Sequence, residues 1–333
     1  MTITLKHRPA ILAGAAIVGK KEGEGPLNGT FDQVVEDDLF GEESWEKAES
    51  RFYYTAATLC LQKAGLTPGQ TDVLLGGDLL NQIMSASMAA RELHIPFLGL
   101  YGACSTMAES LCIGAMLVDA GHVQHALCAV SSHFCSAERQ YRFPLEYGNQ
   151  RPPTAQWTVT GAGATLIAPA SDSAICRCTH VTIGQVTDMG IADANNMGAA
   201  MAPAAVSTLR RHFEDTGRTA ADYDLIITGD LGQVGHDILL TLMQEAGHPL
   251  IPERYMDCGL AIFDRDRQDV HAGGSGCGCS AVVLNGHILQ RFRSGEVRRV
   301  LFMATGALLS TTTSQQGSTI PGIAHAIALE ADP

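Results

Sequence analysis

The sequence predicts an α/β protein built from two similar halves. Three observations point to this fold class: the length of the chain, an internal repeat, and short apolar segments that alternate with helical ones. With 333 residues, the chain exceeds one average domain. Apolar residues make up 46% of the chain and charged residues 17%, so most of it can be buried and a disordered protein is excluded.

The internal repeat predicts that the second half of the chain duplicates the first. The segment GLTPGQTDVLLGGDL, which begins at Gly65, aligns without gaps with GRTAADYDLIITGDL, which begins at Gly217. Six of the 15 positions are identical at this offset of 152 residues. A weaker match at an offset of 174 relates residues 120–132 to residues 294–306, so we expect an insertion in the second half.

Buried strands separated by helices are predicted in both halves. The segments DVLLGG and HALCAVSS in the first half, and DLIITG and RRVLFMATG in the second, are short and apolar, which is typical of strands in α/β layers. We assign residues 1–172 to an N-terminal half that carries Cys104, and residues 173–333 to a C-terminal half. In such folds the functional groups gather at the carboxyl ends of the strands, near the junction of the halves.

The first strand is predicted within residues 9–19, PAILAGAAIVG. This run resembles the apolar core of a signal peptide, but basic residues follow it without a clear cleavage site, so a buried strand is the better interpretation. No apolar run reaches the roughly 18 residues that a membrane span requires. The net charge of −13 argues against a nucleic-acid partner. The ten cysteines lack regular spacing, which favours reduced thiols and argues against a zinc site.

Cys104 is the first candidate functional residue, because it lies in a GACST turn directly before an apolar helix. The helix dipole and the free amide groups at such a position are expected to lower the pKa of the thiol and to stabilise an oxyanion, as acyl transfer to sulfur requires. A small residue buried at a tight turn is the structural alternative. Other polar residues fall at or just beyond the ends of predicted strands: Asp78, His133, Asp230 and Ser275.

A locally basic stretch follows the predicted strand HALCAVSS in this acidic chain. Its arginines and acidic residues are Arg139, Arg142, Arg151, Glu138 and Glu146. Guanidinium groups suit carboxylate ligands, and Tyr141 and Phe143 are candidates to flank a flat ring. His133 is expected to face the same pocket as Cys104. Three alternatives stay open: surface ion pairs for the arginines, a structural role for the histidine, and helix capping for the two aspartates.

The duplicated halves, the GACST turn and the segment VTGAGATLIAP resemble the thiolase and β-ketoacyl synthase superfamily over nearly the whole chain. The resemblance implies a thiolase-like fold of five layers, αβαβα, a homodimer, and a cysteine that carries the acyl group in catalytic members. Two positions depart from the pattern of condensing members. Asp230 stands about where a histidine is expected, and Ser275 or a glycine stands where a second histidine or an asparagine is expected. Condensation by the usual route is therefore not predicted.

Further segments are similar to the stage V sporulation protein AD family of endospore-forming bacteria: GDLLNQ, GACSTMAESL, SSHFCSAERQYRFPLEYG, GGSGCGCSAVV, and TGALLS followed by QQGSTIPGIAH. This resemblance implies a protein that binds dipicolinic acid, free or as its calcium chelate, for uptake into the developing spore. It also implies membrane-protein partners of the stage V sporulation A group, and a location at the cytoplasmic face of the forespore inner membrane. Calcium is expected only as part of the ligand, without any other cofactor or metal site.

Functions from different classes stay open at this point. We expect a binding protein without catalysis. An acyltransferase that uses Cys104 as the acyl-carrying nucleophile is the alternative, and a scaffold with a vestigial pocket is a third interpretation. The residues expected to form the site are Cys104, His133, Asp78, Asn81, Asp230, Arg139, Arg142 and Ser275.

Overall fold

The computed structural model describes residues 1–141 and 151–332. Within them the strands are β1 (Thr2–Thr4), β2 (Ala10–Gly19), β3 (Gln33–Val35), β4 (Val73–Gly77), β5 (Phe97–Gly99), β6 (Ala126–Ser132), β7 (Trp157–Thr158), β8 (Gly161–Ala168), β9 (Cys176–Thr182), β10 (Leu225–Thr228), β11 (Tyr255–Asp257), β12 (Gly274–Ser275), β13 (Arg299–Ala307) and β14 (Gly322–Glu330).

The helices alternate with these strands along the chain. They are α1 (Lys20–Gly23), α2 (Trp45–Lys63), α3 (Met84–Leu93), α4 (Thr106–Asp119), α5 (Phe134–Tyr141), α6 (Met197–Thr216), α7 (Gly232–Glu245), α8 (Cys258–Ala261), α9 (Cys277–Val282), α10 (Leu289–Arg293) and α11 (Thr311–Gln315). A π-helical stretch, Val283–Ile288, joins α9 to α10, so that the three segments form one continuous helix.

Two sets of five strands have the same order and the same directions. The N-terminal set runs β5-β4-β6-β8-β2, and the C-terminal set runs β11-β10-β13-β14-β9. In each set the first three strands are parallel, and the last two pair antiparallel with their neighbours. A short pairing of β2 with β9 joins the sets into one sheet, which has twelve strands within the described residues. The strand order therefore matches the duplication that the sequence predicts.

Three helical layers alternate with the two sets of strands. Helices α2 and α3 pack on the outer face of the N-terminal set, and α6, backed by α7, covers the outer face of the C-terminal set. Helix α4 and the continuous α9–α10 helix lie between the two sets, where α4 contacts strands of both. The five-layered αβαβα fold is confirmed.

Small residues let the middle helices approach the strands closely. A Cβ atom at Gly14 of β2 would lie 2.4 Å from Asn285 Oδ1, and one at Gly163 of β8 would lie 2.5 Å from the carbonyl oxygen of Ala281. At Gly163 the neighbour is main chain and cannot move aside, whereas at Gly14 the side chains of Asn285 and Leu289 would have to shift. The small-residue sequences of β2 and β8 therefore allow these strands to be buried on both faces, between α2 and the middle layer.

The strands predicted from the apolar segments are confirmed as β4, β6, β10 and β13, and residues 10–19 of the predicted first strand form β2. Because β4 is parallel to β6 and β10 is parallel to β13, the polar residues after them lie at the edge where α4 begins. Within the described part of the chain, no helix is both long enough and apolar enough to cross a bilayer.

Candidate functional site

The turn that carries Cys104 is fixed by hydroxyl groups on its own residues. The hydroxyl of Ser105 donates to the carbonyl oxygen of Gly102 at 2.6 Å, and that of Thr106 donates to the carbonyl oxygen of Ala103 at 2.7 Å. Ala103 has a φ of 50°, a left-handed conformation that is uncommon outside glycine. The Cys104 side chain is thereby held two residues before α4, with only 6% of the residue exposed.

A buried carboxylate lies beside this turn. Asp230, which follows β10, accepts hydrogen bonds from the hydroxyl of Ser275 at 3.0 Å, the amide of Gly276 at 2.9 Å and the hydroxyl of Thr305 at 2.9 Å. The Ser275 hydroxyl oxygen lies 3.9 Å from the sulfur of Cys104. The structure therefore brings together Cys104, Asp230 and Ser275, which the sequence places at or just beyond the ends of separate strands.

The electrostatics of this cluster oppose a thiolate. Burial raises the pKa of Asp230 to about 6, although its hydrogen bonds pull the pKa downward. Burial, and then the Asp230 carboxylate, raise the pKa of Cys104 well above its ordinary value. The expectation of a lowered Cys104 pKa is wrong, because burial and a neighbouring negative charge outweigh the position before a helix. A nucleophile in this environment stays protonated at neutral pH.

A narrow apolar cavity of about 40 Å³ adjoins Cys104. Its lining residues come from both halves of the chain: Leu79, Tyr101, Ala103, Cys104, Ala137, Glu138, Tyr141, Thr158, Met197, Ser275, Ala307 and Leu309. The hydroxyl groups of Tyr101 and Tyr141 are hydrogen-bonded to each other at 2.9 Å, and Tyr101 is 44% exposed, so this pair stands at the solvent side of the cavity. The described lining residues include no lysine, arginine or histidine.

The sequence comparisons identify the family. Residues 1–330 match the family model described as stage V sporulation protein AD. A protein of that name from Bacillus subtilis (strain 168) is 47% identical over 329 residues, which cover 99% of this chain and 96% of the relative. The chain belongs to the stage V sporulation protein AD family. The resemblance seen in the sequence motifs is confirmed.

Solved structures similar to this member of the stage V sporulation protein AD family share its fold at low identity. Cerulenin-bound OleA from Xanthomonas campestris has a TM-score of 0.63 at 14% identity, covering 99% of this chain and 100% of that chain. The 3-oxoacyl-[acyl-carrier-protein] synthase III from Aquifex aeolicus VF5 has a TM-score of 0.57 at 13% identity, covering 97% of this chain and 100% of that chain. These likenesses show the thiolase-like fold.

His133 does not face the cavity beside Cys104. Its Nδ1 accepts a hydrogen bond from the amide of Cys135 at 3.2 Å, so Nε2 carries the proton and donates to the carbonyl oxygen of Asp38 at 2.7 Å. Burial lowers the pKa of this histidine. The prediction of a pocket shared with Cys104 is wrong, because the imidazole turns away from Cys104 toward a separate groove.

Asp78 and Asn81 lie outside the lining of the cavity. The carboxylate of Asp78 accepts the amide protons of Leu80 and Ala86, each at 2.7 Å, so it holds the chain segment between β4 and α3. Burial raises the pKa of Asp78 to about 6. Asn81 is exposed, and its main-chain amide donates to the side-chain oxygen of Gln140 at 3.0 Å. Of the two roles open for Asp78, the geometry shows the structural one, because its carboxylate accepts the main-chain amide of Ala86 in the first turn of α3.

The predicted arginines do not converge on Cys104 within the described residues. Arg139 pairs with Glu46, and its guanidinium lies 5.1 Å from the centre of the Trp45 ring, on the side of α5 away from the cavity lining. Arg151 contacts Asp269 and lies 4.6 Å from the centre of the Trp157 ring. The predicted residues Arg142, Phe143 and Glu146 lie outside the described residues.

A second, wider groove of about 430 Å³ opens where His133 lies. Its floor is formed by Trp157, which stacks on Phe134 at 3.7 Å, while Lys21 Nζ lies 3.6 Å from the centre of the Trp157 ring. Burial raises the pKa of Glu22, beneath Lys21, to about 7. This groove and the Cys104 cavity have no lining residue in common.

Several residues of the site carry no signal in the sequence. Tyr101, Met197 and Leu309 line the cavity from segments that are far apart in the chain, and Thr305 reaches Asp230 from inside β13. Only Tyr101 lies close enough to the GACST turn for its position to suggest a role. Among the described residues, no group of three or more side chains is arranged to hold a metal ion.

Proposed function

We propose that the chain binds dipicolinic acid, free or as its calcium chelate, in the cavity beside Cys104, and that it serves uptake into the developing spore without catalysis. The observation that carries this proposal is the Asp230 carboxylate, which accepts hydrogen bonds from Ser275 and Thr305 next to a protonated thiol. A negative charge at this place opposes the oxyanion of acyl transfer. An apolar cavity with hydroxyl groups at its wall is left for a ligand.

The cavity offers neutral donors to a flat dicarboxylate. Tyr101, Tyr141, Thr158 and Ser275 line it with hydroxyl groups. The Ser275 hydroxyl already donates to Asp230, and the tyrosine hydroxyls are bonded to each other and to the carbonyl of Leu79, so a ligand has to displace these bonds to use their protons. A pyridine ring with two carboxylates has a volume on the order of 100 Å³, which exceeds the present cavity. Binding therefore requires the cavity to widen. Neutralising the ligand with calcium lowers its repulsion from Asp230.

A calorimetric titration of the full chain tests this proposal. Dipicolinate is titrated with and without calcium, and pyridine-2-carboxylate, which lacks one carboxylate, serves as the control ligand. We expect saturable binding of dipicolinate and at least tenfold weaker binding of the control. Equal binding of the two ligands, or none, would remove the proposal.

We propose that a second copy of the chain is a partner through the outer edge of β5. This strand ends the N-terminal set and has no neighbour on one side within the described residues. Leu98 is 50% exposed, Met84 is 49% exposed, and no charged residue occurs in residues 95–104. An open apolar edge favours pairing with another strand. Because Tyr101 lies beside β5, the second copy would lie next to the mouth of the cavity.

The resemblance to the family also supports a location at the cytoplasmic face of the forespore inner membrane. In this proposal the chain acts alongside membrane proteins of the stage V sporulation A group. Fractionation of sporulating cells tests it: we expect the chain in the membrane fraction, and its release when those membrane proteins are deleted. A chain that stays in the membrane fraction without them would contradict these partners.

An acyltransferase that uses Cys104 is the second candidate function. The position of Cys104 before a buried helix, in a fold shared with OleA and a synthase, favours it. Mass spectrometry after incubation with acyl-CoA donors separates the two functions. We expect no acyl adduct on Cys104, because its thiol is protonated and Asp230 opposes the oxyanion. A stable adduct on Cys104 would favour the transferase.

A further inference from the structure

A separate cavity of about 420 Å³ lies at the opposite end of β13 from Cys104. Arg299 at the start of this strand lines the new cavity, and Ala307 at its end lines the cavity beside Cys104. Ala307 comes eight residues after Arg299, and eight residues of extended chain span roughly 26 Å. The remaining side chains around the new cavity include Arg8, Arg298, Asp222, Asp224 and Glu330.

Two of the three arginines have no acidic partner in the part of the chain that the structure describes. Within the described residues, neither Arg8 nor Arg298 forms an ion pair with a carboxylate, and the buried Nε of Arg8 has no hydrogen-bond partner. Arg298 donates only to the main-chain carbonyl of Asp332, at 2.7 Å. The third, Arg299, lies 3.7 Å from Glu330. Most other arginines in the described chain pair with a carboxylate.

The carboxylates at the cavity already accept hydrogen bonds from other groups. Asp224 accepts the amide protons of residues 298 and 299, both at 2.8 Å, and Asp222 accepts the amide proton of Thr219 at 2.8 Å. Glu330 pairs with Arg218 at 2.8 Å. Even the nearby Asp332 accepts hydrogen bonds from Nε and Nη2 of Arg177. Three carboxylates balance the charge of the three arginines, and Arg299 itself donates to the main-chain carbonyl of Asp222 at 3.0 Å. The donors left for a ligand are the Nε of Arg8 and the remaining N–H groups of Arg298 and Arg299.

The backbone fixes Arg8 at this place. Arg8 has a φ of 49°, a left-handed conformation that a non-glycine residue adopts only when its surroundings hold it there. On one side, the amides of Lys6 and His7 donate to the carboxylate of Asp119 at 3.0 and 2.6 Å. On the other side, the carbonyl of Pro9 accepts the amide proton of Cys178 at 2.8 Å. The main chain is held before and after Arg8, so the fold sets the position of its backbone at the cavity.

We propose that this cavity binds a phosphate group through Arg8, Arg298 and Arg299. Guanidinium groups match the oxygens of phosphate in pairs, and several of them around one cavity favour an anion with more than one charge. The volume exceeds that of phosphate alone, so the group can carry a substituent. Free phosphate esters and anionic lipid headgroups share this chemistry. The site is independent of dipicolinate binding, because it lies at the other end of the strands.

Thermal unfolding in the presence of inorganic phosphate, at constant ionic strength, tests the proposal. The unfolding temperature of the wild-type chain is expected to rise with phosphate concentration. Arg8→Ala combined with Arg298→Ala should weaken the apparent affinity at least tenfold. The control, Arg265→Ala with Arg267→Ala, removes the same charge from an exposed loop and should keep the response. No response in the wild type, or an unchanged one in the first double variant, overturns the site.

Two further measurements keep the result unambiguous. Arg8→Lys with Arg298→Lys keeps the charge but not the paired donors, so a folded protein with an intermediate affinity for phosphate is expected. Wild-type affinity in this variant would overturn recognition by guanidinium groups.

Sedimentation with phosphatidylglycerol or phosphatidylcholine vesicles distinguishes a lipid headgroup from a free phosphate ester. Binding to the anionic vesicles that is lost in the alanine double variant assigns a lipid headgroup. A phosphate response without vesicle binding assigns a free phosphate ester.

Discussion

At the scale of single residues, Asp230 decides the chemistry of the site. The sequence predicts its place at the end of a strand, because the repeat aligns it with Asp78. The sequence does not predict the contacts with Thr305 and Gly276, since these come from other strands and turns. The sequence predicts the pKa of Cys104 in the wrong direction, because a helix dipole is a local feature, whereas burial is a property of the whole fold.

The protonated state of Cys104 predicts slow alkylation. Cys135 is only partly buried, so at pH 8 it should react with iodoacetamide before Cys104, although burial raises its pKa to about 11. Asp230→Asn removes the adjacent negative charge and should speed the reaction of Cys104 several-fold. Peptide mapping by mass spectrometry measures both rates. Labelling of Cys104 ahead of Cys135 in the wild-type chain would contradict this assignment.

Asp230 also predicts a dependence of stability on pH. Its pKa is raised from 3.8 to about 6 in the folded chain. The stabilisation that the protonated carboxyl gives to the folded state is therefore fully present below about pH 4 and is lost as pH rises through 6. Asp230→Asn should therefore raise the free energy of unfolding at pH 8, by on the order of 1–3 kcal/mol, and change it little at pH 4. Urea unfolding at both pH values measures this. A variant that is less stable at pH 8 than the wild type would refute it.

At the scale of elements, α5 explains why the sequence misplaced His133. Ser136 in its first turn donates to the buried carboxylate of Glu49 at 2.7 Å, and Phe134 stacks on Trp157. These contacts fix the rotation of the helix, so that Ala137 and Tyr141 face the cavity while His133 faces the groove. The sequence predicts that these residues follow a strand, but not to which side each one turns.

If two copies of the chain pair through the edge of β5, one added charge at that edge should disrupt the dimer. Leu98→Glu places a carboxylate on each copy at the proposed contact, so the dimer should dissociate into monomers at micromolar concentration. Light scattering measures the mass. The control, Val186→Glu, changes an exposed apolar residue elsewhere and should leave the mass unchanged. A wild-type chain that is already monomeric would rule out this contact.

A buried histidine on α6 makes that helix sensitive to acid. His212 Nδ1 lies 2.7 Å from the hydroxyl of Thr182, and Nε2 lies 2.5 Å from that of Tyr223. Burial lowers the pKa of His212 to about 3, so the stabilisation is present above pH 6.5 and is lost as pH falls toward 3. His212→Ala should cost about 2–4 kcal/mol of unfolding free energy at pH 8.

Urea unfolding at pH 8 and pH 5 checks this prediction for His212. The difference between wild type and His212→Ala should shrink at the lower pH, because the unfolded wild-type chain then gains a proton that the folded chain cannot accept. His122→Ala, at an exposed position, is the matched control and should change neither value by more than about 0.5 kcal/mol. A pH-independent difference would contradict a neutral buried His212.

At the scale of the whole molecule, the duplication predicts the architecture better than it predicts the site. Strands β4 and β10, and likewise β6 and β13, take equivalent places because their sequences repeat. The cavity forms where the two halves meet, from residues between Leu79 and Leu309, and most of its lining side chains lie outside the aligned repeat segments. Periodicity within each half therefore predicts the strands, whereas the cavity depends on how the two sets of strands pack together.

The most direct test of a ligand in the cavity beside Cys104 is dipicolinate calorimetry on two variants. Ala137→Leu adds three carbon atoms to the cavity wall, and Lys21→Ala changes only the separate groove. With both variants folded by circular dichroism, we predict at least tenfold weaker binding for Ala137→Leu and wild-type affinity for Lys21→Ala. Wild-type affinity in Ala137→Leu, together with a loss in Lys21→Ala, would contradict the account and move the ligand to the groove.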